Sequence, residues 1–415
     1  MRIAALAWSL SRYWRGALAA LAALLLSACQ PEGGARQPIR IGVLHSLSGS
    51  MATSERPLVD AVRLAVEEIN AKGGLLGRPV EIVLADGASD WPRFAAEAER
   101  LISQERVSAL FACWTSACRK AVKPVVEKHQ HLMFYPVQYE GLESSPNILY
   151  TGAAPNQQII PGTRWALEHL GQRVYLLGSD YIFPRAANRI IRDLVEAGGG
   201  SVLGERYLPL GESDMRPALD DIRRLQPQVV FNTVNGDSNA HLFRALADAG
   251  LSELPIMSFS VAENEVTGSE ASRLKAHYAV WGYFQSLDSA ENRRFVAAFK
   301  ARYGASRVTS DPMEAAYIGV RLWAQAVTDA GNDAPAEVNR SILRQSLQAP
   351  SGIVTVDAAS RHLWKMARIG QMQADGQFRQ VWATSHPLRP TPFPSYRSPQ
   401  EWRKTMMGLE MEVRP

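Results

Sequence analysis

Two rhythms of apolar residues alternate along the chain. One is a short run rich in β-branched and aromatic residues, five to eight long, as in "IRIGVLH" (Ile39–His45), "VEIVLAD" (Val80–Asp86) and "VSALF" (Val107–Phe111). The same kind of run returns as "HLMFYPV", "ILYTG", "RVYLLGS", "SVLGERYL", "QVVFNTV", "PIMSFS" and "HYAVWGY". The other rhythm repeats every 3.6 residues. In "RPLVDAVRLAVEEINAKGG", residues Leu58, Val62, Ala65, Val66 and Ile69 fall on one face, and Lys72–Gly74 stops the helix. A second helix is predicted over Trp91–Gln104 and a third in "RKAVKPVVEKH". Strand-like runs separated by helices argue for parallel sheets covered by helices. From Ile39 on, 377 residues of this pattern fill two Rossmann-like lobes with parallel sheets joined by a hinge, an α/β fold.

In such sheets ligands bind beyond the carboxyl ends of the strands. The residues there become the candidates: Ser48 after the first strand, Trp114 and Ser116 after the third, Tyr135 and Gln138 after the fourth. Tyr181, then Asn235 and Asp237, then Ser260 follow later strands. They are mostly hydroxyls, amides and aromatics, the groups that hold an uncharged polar solute. Asp237 is the sharpest polar candidate among the later ones, in the second lobe, because a carboxylate accepts from two N–H groups at once; it also fits a helix cap before "AHLFRALADAG". Ser116 likewise reads as ligand contact or N-cap.

The joint "ACWTSACRK" (Ala112–Lys120) raises an enzymatic alternative. Cys113 as a nucleophile needs a nearby histidine, and His129 and His131 lie at the far end of a helix, roughly 20 Å away at 1.5 Å per residue. "SLSGS" is not the GxSxG of a nucleophile elbow, and "HQH" lacks further metal ligands at a recognisable spacing. No Gly-rich dinucleotide fingerprint and no GxxxxGK[ST] loop appears. The expectation is a binding protein, not an enzyme, without cofactor or metal. Cys113 and Cys118 read as structural, either core thiols or a disulfide.

Composition changes this picture at the N-terminus. Arg2, Arg12 and Arg15 precede the 10-residue apolar run Ala17–Leu26, half of what a membrane span needs, and "LSAC" ends it. That ending resembles a bacterial lipobox. Residues 1–28 then read as a lipoprotein signal peptide, Cys29 as the lipidated residue, and 29–38 as a flexible tether. The formal charge of +4 falls to +1 without the three arginines of residues 1–28, which hold no acid. No nucleic-acid partner follows from so small an excess. The expected location is the periplasm, attached to the membrane through the lipid.

"IRIGVLHSLSGSMA", "AVEEINAKGGLLGRPVEI", "FYPVQYEG", "YTGAAPNQQ", "GSDYIFPR", "NGDSN" and "SDPMEAAYIGV" together resemble type I periplasmic binding proteins, from about Ile39 to about Trp382. Within these, the chain is most similar to the urea-binding component of urea ABC importers. It also resembles the amide-sensing regulators of amidase operons, less well at "WTS" and "NGDSN". The resemblance implies lobe one over 39–154 plus 264–348, lobe two over 155–263 plus 349–382, and a surface tail over 383–415. It implies urea or a short amide as ligand and an ABC permease as partner, with an amide-sensing receptor or an exported amide hydrolase as alternatives. Tyr135 and Tyr181 match positions that contact ligand in the amide-binding relatives. Val137 stands where the amide regulators carry a hydroxyl, which leaves the role to the neighbouring Gln138.

Overall fold

The computed structural model describes residues 37–266, 273 and 276–412. Cys29 and the expected signal peptide lie outside the described residues. From Ile39 the chain builds two sheets, each wrapped by helices. The first has eight strands. Its parallel core runs β2 (Val80–Asp86), β1 (Ile39–His45), β3 (Leu110–Ala112), β4 (Met133–Tyr135) and β5 (Ile148–Tyr150). The second has seven, with β7 (Ser201–Leu208), β6 (Arg173–Ser179), β8 (Val229–Thr233), β9 (Ile256–Ser258) and β10 (His277–Trp281) parallel in that spatial order.

The helices that follow these strands are α1 (Ala52–Ala71), α2 (Trp91–Ser103), α3 (Ser116–Lys128), α4 (Ile159–His169), α5 (Ile182–Ala197), α6 (Arg216–Leu225) and α7 (Ser238–Asp248). Then come α8 (Ala290–Tyr303), α9 (Asp311–Ala330), α10 (Pro335–Ser341) and α11 (Pro399–Glu412). The apolar stripe read from the sequence is the buried face of α1: Leu58, Val62, Ala65 and Val66 are at most 5% exposed.

The sheets are mixed, not purely parallel. β11 (Ser346–Ala349), β12 (Gly352–Asp357) and β13 (His362–Trp364) add to the β5 edge of the first sheet, with β11–β12 and β12–β13 antiparallel. β14 (Arg368–Met372) pairs antiparallel with β10, and β15 (Phe378–Ala383) pairs antiparallel with β14. For three of these antiparallel pairs, β11–β12, β12–β13 and β14–β15, the reason is connection length. Two residues link β11 to β12, four link β12 to β13 and five link β14 to β15, whereas a parallel crossover needs a dozen or more.

This also corrects the lobe boundaries. β10 was expected in lobe one, but it pairs with β9 (His277↔Ile256) in the second sheet. β12 and β13 were expected in lobe two, yet they extend the first sheet beside β5. The chain therefore crosses between sheets after Tyr150, after Trp281 and after Trp364. The tail is more than a surface wrap: α11 packs on α5, and Trp402 is fully buried with its Nε1–H donated to the Pro394 carbonyl at 2.8 Å.

Candidate functional site

The loops at the carboxyl ends of β1, β3 and β4 meet those of β6, β8 and β9. At β3 the chain turns sharply. Cys113 takes a left-handed backbone (φ 71°) and is disulfide-bonded to Cys118, with Cα atoms 5.6 Å apart. The pairing left open by the sequence is thus present. The turn delivers Trp114, which is 1% exposed and donates Nε1–H to Asn235 Oδ1 in the opposite lobe at 3.2 Å. Its carbonyl accepts the Tyr135 hydroxyl at 2.5 Å. Thr115 caps α3 by accepting from Cys118 N–H at 3.1 Å, so the cap expected of Ser116 belongs to its neighbour.

Ser116 instead joins a buried charged network. Its hydroxyl donates to Glu140 Oε2 (2.5 Å) and accepts from Arg119 Nη1 (2.9 Å). Arg119, fully buried, also donates to Glu140 and to Glu143, each at 2.9 Å, and lies over the rings of Tyr135 and Tyr139. Burial alone would raise the Glu143 carboxyl; Arg119 and then Lys120 overcome it and hold the group at about 2. All three guanidinium nitrogens are thereby engaged. Tyr181, at the start of α5, is 6% exposed. Burial, then Tyr135 and Glu140, push its hydroxyl well above the usual range, so it stays neutral.

Further contacts cross from lobe to lobe. Gln138 Nε2 donates to Phe259 O and to Ser260 Oγ, both at 2.9 Å. Ser54 donates to Glu265 at 2.6 Å. Asp237 N–H meets Ser50 O at 3.4 Å. Gly236 makes this approach possible: φ is +65°, and a Cβ there would stand 2.6 Å from Ser50 O. Asp237 itself is half-buried, and its side chain does not cap α7.

Of the predicted residues, the structure joins Trp114 to Asn235 and Tyr135, sets Ser116 and Tyr181 beside Tyr135, and pairs Gln138 with Ser260, while Asp237 meets Ser50. Ser48 is not among them. It is exposed and donates to Asp86 at 2.8 Å, part of a turn in which Asp86 also accepts from Leu47 and Ala88 N–H. His129 bonds Glu99, and His131 is buried against the Val107 and Leu132 carbonyls. The sequence reading missed His45, Glu55, Arg119 and Glu140. His45 and Glu55 are fully buried, with Glu55 Oε2 bonded to His45 Nδ1 (3.1 Å) and Ser46 N–H (2.9 Å). A signal was present for His45, which ends β1, and for Glu140, five residues after β4; Glu55 and Arg119 lie in the first turns of the helices that follow β1 and β3. Buried side-chain atoms without a partner near the seam include His45 Nε2, Glu55 Oε1, Gln138 Oε1, Gln158 Oε1, Ser238 Oγ and both amide atoms of Asn264.

A family model of the periplasmic binding protein domain matches residues 39–399. The chain belongs to that family. By sequence the chain is similar to Leu/Ile/Val-binding protein homolog 6 of Brucella melitensis, 25% identical over 357 residues covering 83% of this chain and 90% of that one. Among solved structures, the solute binding protein of an ABC transporter from Rhodopseudomonas palustris HaA2, in complex with p-hydroxybenzoic acid, has TM-score 0.76 at 22% identity and covers 87% of this chain and 100% of its own. The branched-chain amino acid transporter substrate binding protein LivJ from Streptococcus pneumoniae, in complex with isoleucine, has TM-score 0.75 at 22% identity over 85% of this chain and 100% of its own. A stretch of 116 residues is 35% identical to limonene hydroxylase of Geobacillus stearothermophilus, spanning 28% of this chain and only 21% of that protein. Among the described residues no helix is long and apolar enough to cross a membrane.

Proposed function

We propose that this periplasmic binding protein is the solute-binding subunit of an ABC importer, anchored through Cys29, and that it captures urea or a short-chain amide between its lobes. The observation that carries this reading is the hydrogen-bonding capacity left over at the seam. Trp114 Nε1–H, the Tyr135 and Ser116 hydroxyl hydrogens and the Gln138 amide hydrogens are all used within the protein. Among the unpaired atoms, Glu55 Oε1 and Gln138 Oε1 are acceptors, the Ser238 hydroxyl can donate, and the Asn264 amide offers one donor group and one acceptor. Such a wall suits a small neutral solute with many N–H donors and one carbonyl.

A second reading, an amino acid or aromatic acid like those bound by the solved relatives, meets a specific obstacle. A carboxylate calls for an unpaired cation, and Arg119 is engaged at every nitrogen by Glu143, Ser116 and Glu140. Urea has four heavy atoms, so a ceiling of about 1.5 kcal/mol each limits the affinity to about 6 kcal/mol, a Kd no tighter than the order of tens of micromolar.

Calorimetric titration with urea, acetamide, formamide, isoleucine and 4-hydroxybenzoate tests the reading, with an ammonia assay alongside. Heat on adding urea or an amide without ammonia release is the expected result. Binding of only the acids removes the small-amide reading, and ammonia release replaces binding with hydrolysis. Cys29→Ser should move the protein from the membrane to the soluble periplasmic fraction; retention in the membrane would rule out the anchor.

A further inference from the structure

The last stretch of the chain touches each lobe in turn. After β15 the sequence reads "PLRPTPFP" (387–394), and Pro387, Pro390, Pro392 and Pro394 lack the N–H that further strand pairing needs, so the chain leaves the second sheet as a strap. The strap crosses first to lobe one. Arg389 Nε donates to Asp357, the last residue of β12, at 3.0 Å, and Pro392 O accepts Leu142 N–H at 2.9 Å. Gly141 permits this approach: φ is +69°, and a Cβ there would stand 2.0 Å from Pro392 O. The loop so held is the one after β4 that carries Gln138, Glu140 and Glu143. The strap then returns to lobe two, where Arg397 donates to both carboxylate oxygens of Asp193 on α5, at 2.7 and 3.0 Å.

Ser398 and Glu401 start α11. Each side chain accepts the other's backbone N–H, at 3.2 and 2.7 Å, and Pro399 takes the first helical position. Trp402 and Met406 join the buried apolar cluster that holds Phe183 and Ile190 of α5, and Ala117 of α3 packs against the same cluster. One turn on, Glu410 reaches lobe one. Its carboxylate accepts from Lys120 Nζ on α3 at 2.8 Å, and that ammonium lies 3.5 Å from Glu143. Glu412 stays within lobe two, 3.4 Å from Arg185 of α5. α11 begins where the family match ends, at residue 399.

We propose that the strap and α11 latch the two lobes across the seam, and that the Glu410–Lys120 pair sets how readily the lobes part. A helix seated on α5 moves with lobe two, so parting the lobes pulls Glu410 from Lys120 while Glu412 keeps Arg185. The pair is partly exposed, Lys120 at 26% and Glu410 at 38%. Its effect is therefore modest and screened by salt. The latch acts on the lobes themselves, whatever solute they hold.

The test is the distance between spin labels at Lys72→Cys, just past α1, and Glu196→Cys, in the last turn of α5, both exposed positions. The background is the full chain with Cys29→Ser, in which Cys113 and Cys118 are held in their disulfide. Pulsed electron resonance without added solute then gives the ratio of open to closed lobes, with thermal unfolding of each variant alongside. In low salt the closed distance should dominate. Glu410→Gln should raise the open-to-closed ratio about two- to fivefold, the range of a partly exposed ion pair. Glu412→Gln, which removes the same charge from the same helix, should leave it unchanged. Raising the salt to about 0.5 M should bring the unmodified latch to the ratio of Glu410→Gln and leave that variant nearly unmoved. A chain ending after Ser398 should open further, and Glu410→Gln keeps the test informative should the shortened chain fail to fold. An unchanged ratio in Glu410→Gln, or an equal rise in Glu412→Gln, overturns the latch. So does a chain with an intact C-terminus that is already open in low salt. None of these outcomes depends on which solute is bound, so the small-amide reading stands or falls separately.

Discussion

Ser116 and Asp237 each read from the sequence as ligand contact or helix cap, and their surroundings separate them. Ser116 is hydrogen-bonded to both Arg119 and Glu140 inside a fully buried network. Ser116→Ala leaves those charged groups each one partner short and should cost about 1–3 kcal/mol of stability without ligand. Asp237 is half-buried at the seam and caps nothing, so Asp237→Ala should leave unfolding in denaturant nearly unchanged while weakening urea. Titration and denaturant unfolding of both variants check the contrast. A stable Ser116→Ala variant, or an unstable Asp237→Ala variant, would contradict this division of roles. The residues after each strand were legible because strand ends in α/β sheets are readable from periodicity. Their partners were not, because Arg119, Glu140 and Glu143 come together only when α3 packs against the loop after β4.

At the scale of elements, the turn from β3 into α3 sets the seam's geometry. Cys113 holds a left-handed backbone that a residue with a side chain adopts at some cost, and the disulfide to Cys118 spans that turn. Closing so short a loop contributes about 2 kcal/mol by the chain-entropy account. Cys113→Ser with Cys118→Ser should lower stability by about that amount and weaken urea binding through Trp114, whose bond to Asn235 depends on the turn. Unfolding with and without a reductant gives the first quantity and calorimetry the second. The final strands carry the complementary lesson. Their apolar patterns mark them as strands, but the direction of pairing followed from loops of two, four and five residues.

For the whole molecule, the three crossings between sheets are tied together by one buried cluster. Lys365 Nζ donates to Thr151 O at 3.2 Å and lies 3.7 Å from Asp311, whose Oδ2 accepts Gly282 N–H at 2.9 Å. Thr151, Gly282 and Lys365 each stand on a different crossing. Lys365→Met strands the buried Asp311 and Glu314 carboxylates and should cost about 3–5 kcal/mol in denaturant unfolding. Glu263 and Glu265 lie nearby. Burial raises them to about 8 and about 7; Asp311 and Glu265 add to the rise at Glu263, and Asp237 adds to it at Glu265. Because the folded values exceed the ordinary 4.5, the fold holds more protons than the unfolded chain between these limits. Their stabilising contribution is complete below about pH 4.5 and is lost as the pH rises through 7 to 8. Unfolding free energy should therefore fall from pH 5 to pH 8, and Glu263→Gln with Glu265→Gln should flatten that decline.

By itself the sequence determined the α/β class, the parallel core strands and the set of loops at their carboxyl ends, because backbone periodicity and burial are local properties. It also carried the family resemblance, through short stretches spread over most of the chain. Only the tertiary structure decided which sheet received β10 and which received β12 and β13, since pairing depends on which strand edge is within reach. It alone placed Trp114 against Asn235 and Gln138 against Ser260, residues more than a hundred positions apart. It also turned Ser48 away toward Asp86 and left His45 Nε2 and Glu55 Oε1 without a hydrogen-bond partner. Whether a polar side chain is satisfied depends on every neighbour that reaches it, and those neighbours are assembled only by the fold.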